Sequence, residues 1–156
     1  MRSLAASVAA SLVLSVITLP VLPAAASESV RPLYVTLSDG VETVQAGESL
    51  TYTITLRTDA LESFGTNVTM TLPPLVDLVE ASDGGRLEGE SVIWNHVTVS
   101  PSVTKRLFVS VVVRPDAEDG ATMTAQVVTS EGERAADVTR IADGGRIAAA
   151  LRPHNR

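Results

Sequence analysis

The sequence predicts an all-β domain, a two-layer sandwich of seven to nine short strands. The first observation is the stretch 47–58, GESLTYTITLRT, in which apolar and polar side chains alternate. Leu50, Tyr52, Ile54 and Leu56 fall on one side of an extended chain and threonines on the other, which is typical of a strand with one buried face. The second observation is that no segment of ten or more residues after position 26 has a helical period. Such a strand needs further strands and a second layer to cover it.

Composition excludes several classes of function. The 156 residues leave room for one domain and a targeting segment. A formal net charge of -6 and a pI of about 4.8 argue against a nucleic-acid partner, because the phosphate backbone would be repelled. The absence of cysteine excludes a disulfide framework, a thiolate metal site and a cysteine nucleophile. Stability must therefore come from burial of an aliphatic core.

Residues 1–26 have the pattern of a signal peptide. Arg2 supplies the positive charge, 4–19 is an apolar run, and 24–26 is a run of small alanines before a cleavage point. We expect a mature chain that starts at Ser27, is secreted or associated with the cell envelope, and has no membrane span after cleavage. The alternative is an uncleaved membrane anchor, since the apolar run is nearly long enough to span a bilayer.

From 27 to 142 the chain alternates between short strands and turns. In order, the predicted strands are 33–37, 41–45, the stretch within 47–58, 66–72, 76–81, one that starts at 89, 105–114, 122–129 and 134–141, with turns at 39–40, 73–74, 82–85, 115–120 and 130–132. Even strand spacing without inward polar alternation favours a sandwich of immunoglobulin type. Residues 143–156 form a short basic tail that contains Arg146, Arg152 and Arg156.

The order of motifs from 46 to 128 resembles an immunoglobulin-like repeat domain of bacterial surface proteins, the domain-of-unknown-function-eleven type. The motifs that carry the resemblance are Gly47, Leu50, Tyr52 and Ile54; Asn67, Val68 and Thr69 with Leu72 and Pro73; Val92 and Trp94; 107–113; and Ala125 and Val127. The chain departs from the family at Met70, where an aspartate is usual, at 57–59, and at 97–103, which lacks a glycine. The resemblance implies a sandwich without catalytic residues and a structural or adhesive role.

The catalytic candidates are few. The sequence holds two histidines, His96 and His154, and no Gly-x-Ser-x-Gly elbow. His96 lies just past Trp94, where a strand-end histidine is the ordinary interpretation, and His154 lies in the tail. We therefore predict that the protein is not an enzyme and has no cofactor or catalytic residue.

One loop offers weak candidates for a metal site. Asp116, Glu118 and Asp119 lie within the turn 115–120, and three acids in one loop can begin the oxygen shell that calcium requires. The alternative is an exposed acidic turn on an acidic protein.

Two further residues have alternative interpretations. Lys105 is the only lysine and could form an isopeptide bond with Asn67 or Asn95, although an outward strand-end lysine is the simpler interpretation. Trp94 could be a platform on which a sugar stacks, but it shares a strand face with Val92 and is better interpreted as core.

These observations predict a non-catalytic secreted or cell-envelope module with a structural or adhesive binding role. An envelope protein or polysaccharide would be its partner, and exposed edge strands would be where another chain pairs. The alternative is a carbohydrate-binding accessory domain, for which the aromatic side chains available are Trp94, Tyr34, Tyr52, Phe64 and Phe108.

Overall fold

The structure is a computed structural model that describes residues 32–143. The signal peptide over 1–26 and the tail residues 144–156 lie outside the described residues, so both stay predictions. The part of the chain that the structure describes contains no helix long and apolar enough to cross a membrane.

Within the described residues 32–143, ten strands form two sheets. They are β1 (Leu33–Ser38), β2 (Thr43–Val44), β3 (Ser49–Thr58), β4 (Phe64–Thr71), β5 (Val76–Ala81), β6 (Arg86–Glu88), β7 (Ser91–Val99), β8 (Lys105–Val113), β9 (Thr122–Thr129) and β10 (Arg134–Ile141). One sheet has the order β1-β3-β8-β5 and the other β2-β10-β9-β4-β7-β6. All pairs are antiparallel except β10 with β2. This is an immunoglobulin-like β-sandwich, and the predicted fold class is confirmed.

The core forms between the two sheets from side chains that repeat every second residue. On β3, Leu50, Tyr52, Ile54 and Leu56 are at most 6% exposed, as the alternation predicts. Ile54 pairs in register with Leu37 of β1 and Leu107 of β8, so three inward aliphatic side chains lie side by side. Cross-strand neighbours of this kind are the unit that stabilises a sheet.

The observed strands differ most from the predicted ones at β2, β4 and β6. The ten strands within residues 32–143 are one more than predicted, because β6 has only three residues, all exposed, and carries no apolar alternation to reveal it. β2 has two residues rather than the five predicted over 41–45. β4 begins at Phe64, which we predicted to lie in a polar connection. Phe64 is buried and pairs with Val99, so the alternation of buried side chains in β4 begins two residues before the predicted strand.

Candidate functional site

His96 lies on a bulge of β7 rather than at a strand end. Asn95 and His96 together stand opposite Asn67 of β4, and His96 has a positive φ of 57°. The backbone N–H of His96 donates to Oδ1 of Asn67 at 2.9 Å, and its exposed ring lies over Gly65. Bulges change the direction in which side chains point. Here the hydrogen bond to Asn67 holds the backbone of His96 in its bulged conformation. No acid or nucleophile among residues 32–143 orients the imidazole by a hydrogen bond.

The acidic loop after β8 does not gather its carboxylates. Asp116 makes a two-point contact with Arg114, at 3.2 Å to Nε and 3.1 Å to Nη2. Across the described ranges there is no group of three or more histidine, cysteine, aspartate or glutamate side chains placed to hold a metal ion. The calcium prediction for Asp116, Glu118 and Asp119 gains no support from this geometry.

Lys105 and Trp94 have structural roles. Nζ of Lys105 lies 2.5 Å from Oδ1 of Asp83, and this contact holds the pKa of Asp83 below its usual value, so the lysine is placed on Asp83 and not on Asn67 or Asn95. Trp94 is 1% exposed and donates from Nε1 to the carbonyl of Ser82 at 2.7 Å. The core interpretation of Trp94 is confirmed, and a sugar platform at this residue is excluded by its burial.

The four sheet edges differ in how far they are protected from pairing with another chain. β2 and β6, the edges of the larger sheet, have two and three residues. β5 has a bulge between Leu78 and Glu80 and carries acidic side chains. Short strands, bulges and charges all discourage edge pairing.

β1 has none of these protections. Its sequence LYVTLS has no charge, glycine or proline, and six consecutive residues pair with β3 without a bulge. No other strand among the described residues pairs with its opposite side. We call this free side of Leu33–Ser38 the β1 edge. It presents unpaired backbone N–H and C=O groups, the template to which an extended peptide adds.

The outer surface of the smaller sheet is rich in hydroxyl groups. The outward side chains of its strands include six small hydroxyl residues: Thr36, Ser38, Thr51, Thr53, Thr55 and Ser110. We call this surface the hydroxyl face. Tyr34 on β1 and Phe108 on β8 point to the same side and are 55% and 43% exposed. The hydroxyl face thus carries two exposed aromatic rings beside its hydroxyl groups.

A groove lies at one end of the smaller sheet, between the segment 57–61, which includes the end of β3, and the loop 101–104. It encloses about 420 Å³, and Leu61 on its wall is 97% exposed. A depression of about 250 Å³ adjoins it and is lined by Tyr34, Arg57 and Asp59. The neighbouring Asp59 carboxylate raises the pKa of Tyr34. The groove and depression together join the hydroxyl face to the start of the β1 edge.

A polar cluster lies at the other end of β1. The backbone N–H of Asp39 donates to Oδ2 of Asp137 at 2.7 Å, and the hydroxyl of Thr139 donates to Oδ2 of Asp39. Burial and the neighbouring Asp39 carboxylate raise the pKa of Asp137. Tyr52 reaches this cluster from β3; burial, and then the charge of Asp39, raise its pKa to about 12. Thr139 lies beside the Tyr52 hydroxyl, outside hydrogen-bonding geometry.

No family model matches the sequence, and no curated protein matches it. Solved structures do match the fold. A CARDB domain of the PF1109 protein from Pyrococcus furiosus, crystallised in complex with di-metal ions, aligns with a TM-score of 0.51 at 13% identity over 72% of this chain and 89% of that one. The native α2-macroglobulin of E. coli aligns with a TM-score of 0.53 at 16% identity over 70% of this chain and 6% of that one. At these identities the similarity establishes the fold alone.

Proposed function

We propose that this protein is a non-catalytic binding module of the secreted or cell-envelope class, and that it binds an extended segment of a partner protein at the β1 edge. The observation that supports this proposal is the contrast among the four edges. β2, β5 and β6 are short, bulged or charged, whereas β1 is six residues long, regular and uncharged. An exposed regular edge is a hazard for aggregation unless a partner uses it.

Strand addition would draw affinity from backbone hydrogen bonds and specificity from side-chain pockets. The pocket nearest the β1 edge is the depression lined by Tyr34, Arg57 and Asp59. Among the described residues Arg57 has no ion-pair partner, and the two ion pairs are Lys105 with Asp83 and Arg114 with Asp116. Arg57 is therefore available to a polar side chain or carboxylate on the incoming segment.

A pull-down of the purified protein against envelope extract tests this function. The informative variant is Thr36→Lys, because it places a charge on the edge strand, and lysine on an edge discourages pairing. Thr51→Lys is the matched control, since Thr51 is an exposed threonine on the same face but on the central strand β3. We expect Thr36→Lys to lose the retained protein and Thr51→Lys to keep it. Equal retention by both variants would contradict strand addition at β1.

A second function is supported by the hydroxyl face. Tyr34 and Phe108 are the exposed aromatic rings on that surface, and stacking on aromatic rings is one way in which a glycan is held. This moves the carbohydrate-binding alternative from buried Trp94 to these two residues. The test is retention of the protein on envelope polysaccharide. Under this alternative, Tyr34→Ala and Phe108→Ala each lose retention on polysaccharide; retention by both alanine variants would remove it.

A further inference from the structure

Two carboxylates from different sheets meet where β1 ends. Asp39 follows the last residue of β1, and Asp137 is an inward-facing residue in the middle of β10. The backbone N–H of Asp39 donates to Oδ2 of Asp137 at 2.7 Å, which holds the Asp137 carboxylate beside residue 39, and both residues are partly buried. We call Asp39 and Asp137 the acid pair. Neither of the two ion pairs in the described part of the chain involves it, so no protein cation there compensates its charge.

Two buried hydroxyl groups complete the surroundings of the acid pair. Thr139 is fully buried and donates to Oδ2 of Asp39. Tyr52 is 1% exposed and comes from β3, where its neighbour Thr53 pairs with Ser38, the residue before Asp39. The Tyr52 hydroxyl is buried and has no hydrogen-bond partner within residues 32–143. A buried hydroxyl without a partner costs about 1–3 kcal/mol, so a group that satisfies it would be favoured.

The chemistry of these four side chains points to one class of ligand. All four side chains would bind a cation through oxygen: two are carboxylates and two are hydroxyls. Hard cations prefer oxygen ligands. Two adjacent carboxylates repel one another unless a positive charge lies between them. We propose that Asp39, Asp137, Thr139 and Tyr52 form a site for a hard divalent cation of the calcium class, with water completing the shell.

Such a cation would join the two sheets at the end of the β1 edge. Asp39 follows β1 in the smaller sheet and Asp137 belongs to β10 in the larger one, so a shared ion would fasten the end of β1 to the opposite layer. This site is at the end of β1 opposite to the depression of Tyr34, and it does not depend on the proposed partner.

The test is a titration of the purified full chain with CaCl2, and separately with MgCl2, by calorimetry and by thermal unfolding after chelator treatment. Calcium sites of extracellular modules bind with a Kd on the order of 0.1–1 mM, so we expect binding in that range and a higher Tm in calcium than in chelator. Asp39→Asn and Asp137→Asn should each weaken binding at least about tenfold, because each replaces a charged ligand by a neutral one and even the loss of an outer-shell partner typically costs roughly 10–100-fold in metal affinity. Asp116→Asn, in the acidic loop after β8, is the matched control and should bind as the wild type does.

Tyr52→Phe keeps the proposal falsifiable if the aspartate variants fail to fold. It removes one hydroxyl and no core volume, so we expect unchanged or higher stability in chelator and weaker binding of calcium. Absence of any response to 10 mM of either cation, roughly ten times the weakest Kd expected, overturns the proposal. Binding that survives in Asp137→Asn, or is lost in Asp116→Asn, also overturns it. The wild type could bind neither cation while Asp137→Asn is more stable than the wild type at neutral pH. That result would mean that a proton shared by Asp39 and Asp137, and not a metal ion, neutralises the acid pair.

Discussion

Single core side chains determine how firmly the two layers hold together. Ile54 is fully buried between Leu37 and Leu107 on the neighbouring strands, in a chain that has no cysteine to supply a disulfide. Removing buried methyl and methylene groups costs both their transfer from water and the cavity left behind.

Ile54→Ala is therefore expected to lower the free energy of unfolding by roughly 2–5 kcal/mol. Urea denaturation followed by Trp94 fluorescence measures this loss. Thr53→Ala, on the outward face of the same strand, serves as control and should cost less than about 1 kcal/mol. A loss below about 1 kcal/mol for Ile54→Ala would mean that β3 does not bury this face.

Gly85 is needed because Trp94 packs against its backbone. A Cβ atom added at Gly85 would lie 2.5 Å from Nε1 of Trp94, and this indole is 1% exposed and hydrogen-bonded to Ser82. The indole cannot turn away without losing that bond.

We expect Gly85→Ala to destabilise the protein by about 1–3 kcal/mol, as overpacking of a core does, and to shift the Trp94 emission. Gly65→Ala is the comparison, because there the added Cβ meets the ring of His96, which is exposed and free to rotate. Equal stability of Gly85→Ala and the wild type would place Trp94 elsewhere.

The contact of Lys105 with Asp83 makes the stability of the folded protein fall as the pH is lowered. The hydrogen bond from Lys105 is the main cause that lowers the pKa of Asp83 below its ordinary 3.8 in the folded protein. The unfolded chain therefore binds the proton more tightly, and the stabilisation is complete above pH 3.8 and is lost as the pH falls through the folded pKa.

Asp83→Asn should accordingly cost less than about 1 kcal/mol at pH 7, since both side chains are one third exposed or more. Asparagine also tolerates the positive φ of 54° at this position. The difference from the wild type in urea unfolding should vanish at the acid end of a pH series. A difference that persists or grows as the pH falls would contradict the assigned direction.

At the scale of elements, alternation predicted most of the strands because it reports burial directly. β5, β9 and β10 have the bounds that the sequence predicts, and the inward residues of β8 are the four aliphatics expected, Leu107, Val109, Val111 and Val113. Alternation fails where a strand is exposed on both faces, as β6 is, or where pairing is confined to two residues, as in β2.

The binding surfaces were harder to predict, because they depend on which strands end at a sheet edge. The sequence indicated that exposed edge strands could pair with another chain, but not that β1 is the unprotected one. Asp39 and Asp137 are separated by 98 positions, and their contact depends on β1 and β10 facing one another across the layers. Neither residue carries a local motif, so no spacing rule brings them together. The acidic run at 116–119 had such a motif, yet its side chains do not converge on one point.

At the scale of the whole molecule, the sandwich formed by residues 32–143 has one long, regular edge strand without a neighbour, β1, among edges that are short, bulged or charged. The other three edge strands are short or bulged, which discourages pairing with another chain. The buried core between the sheets holds the two layers together. The β1 edge lies between the depression of Tyr34 at one end and the acid pair at the other. A partner strand added there would extend the smaller sheet to five strands without disturbing the core.

Amide hydrogen exchange of the protein, free and bound to the partner protein captured from envelope extract, tests this account most directly. New backbone hydrogen bonds protect amides from exchange, whereas side-chain contacts on a face do not. We expect added protection over Leu33–Ser38 and unchanged exchange over the central strand β8. Protection confined to the segments 57–61 and 101–104, with β1 exchanging as in the free protein, would contradict binding by strand addition.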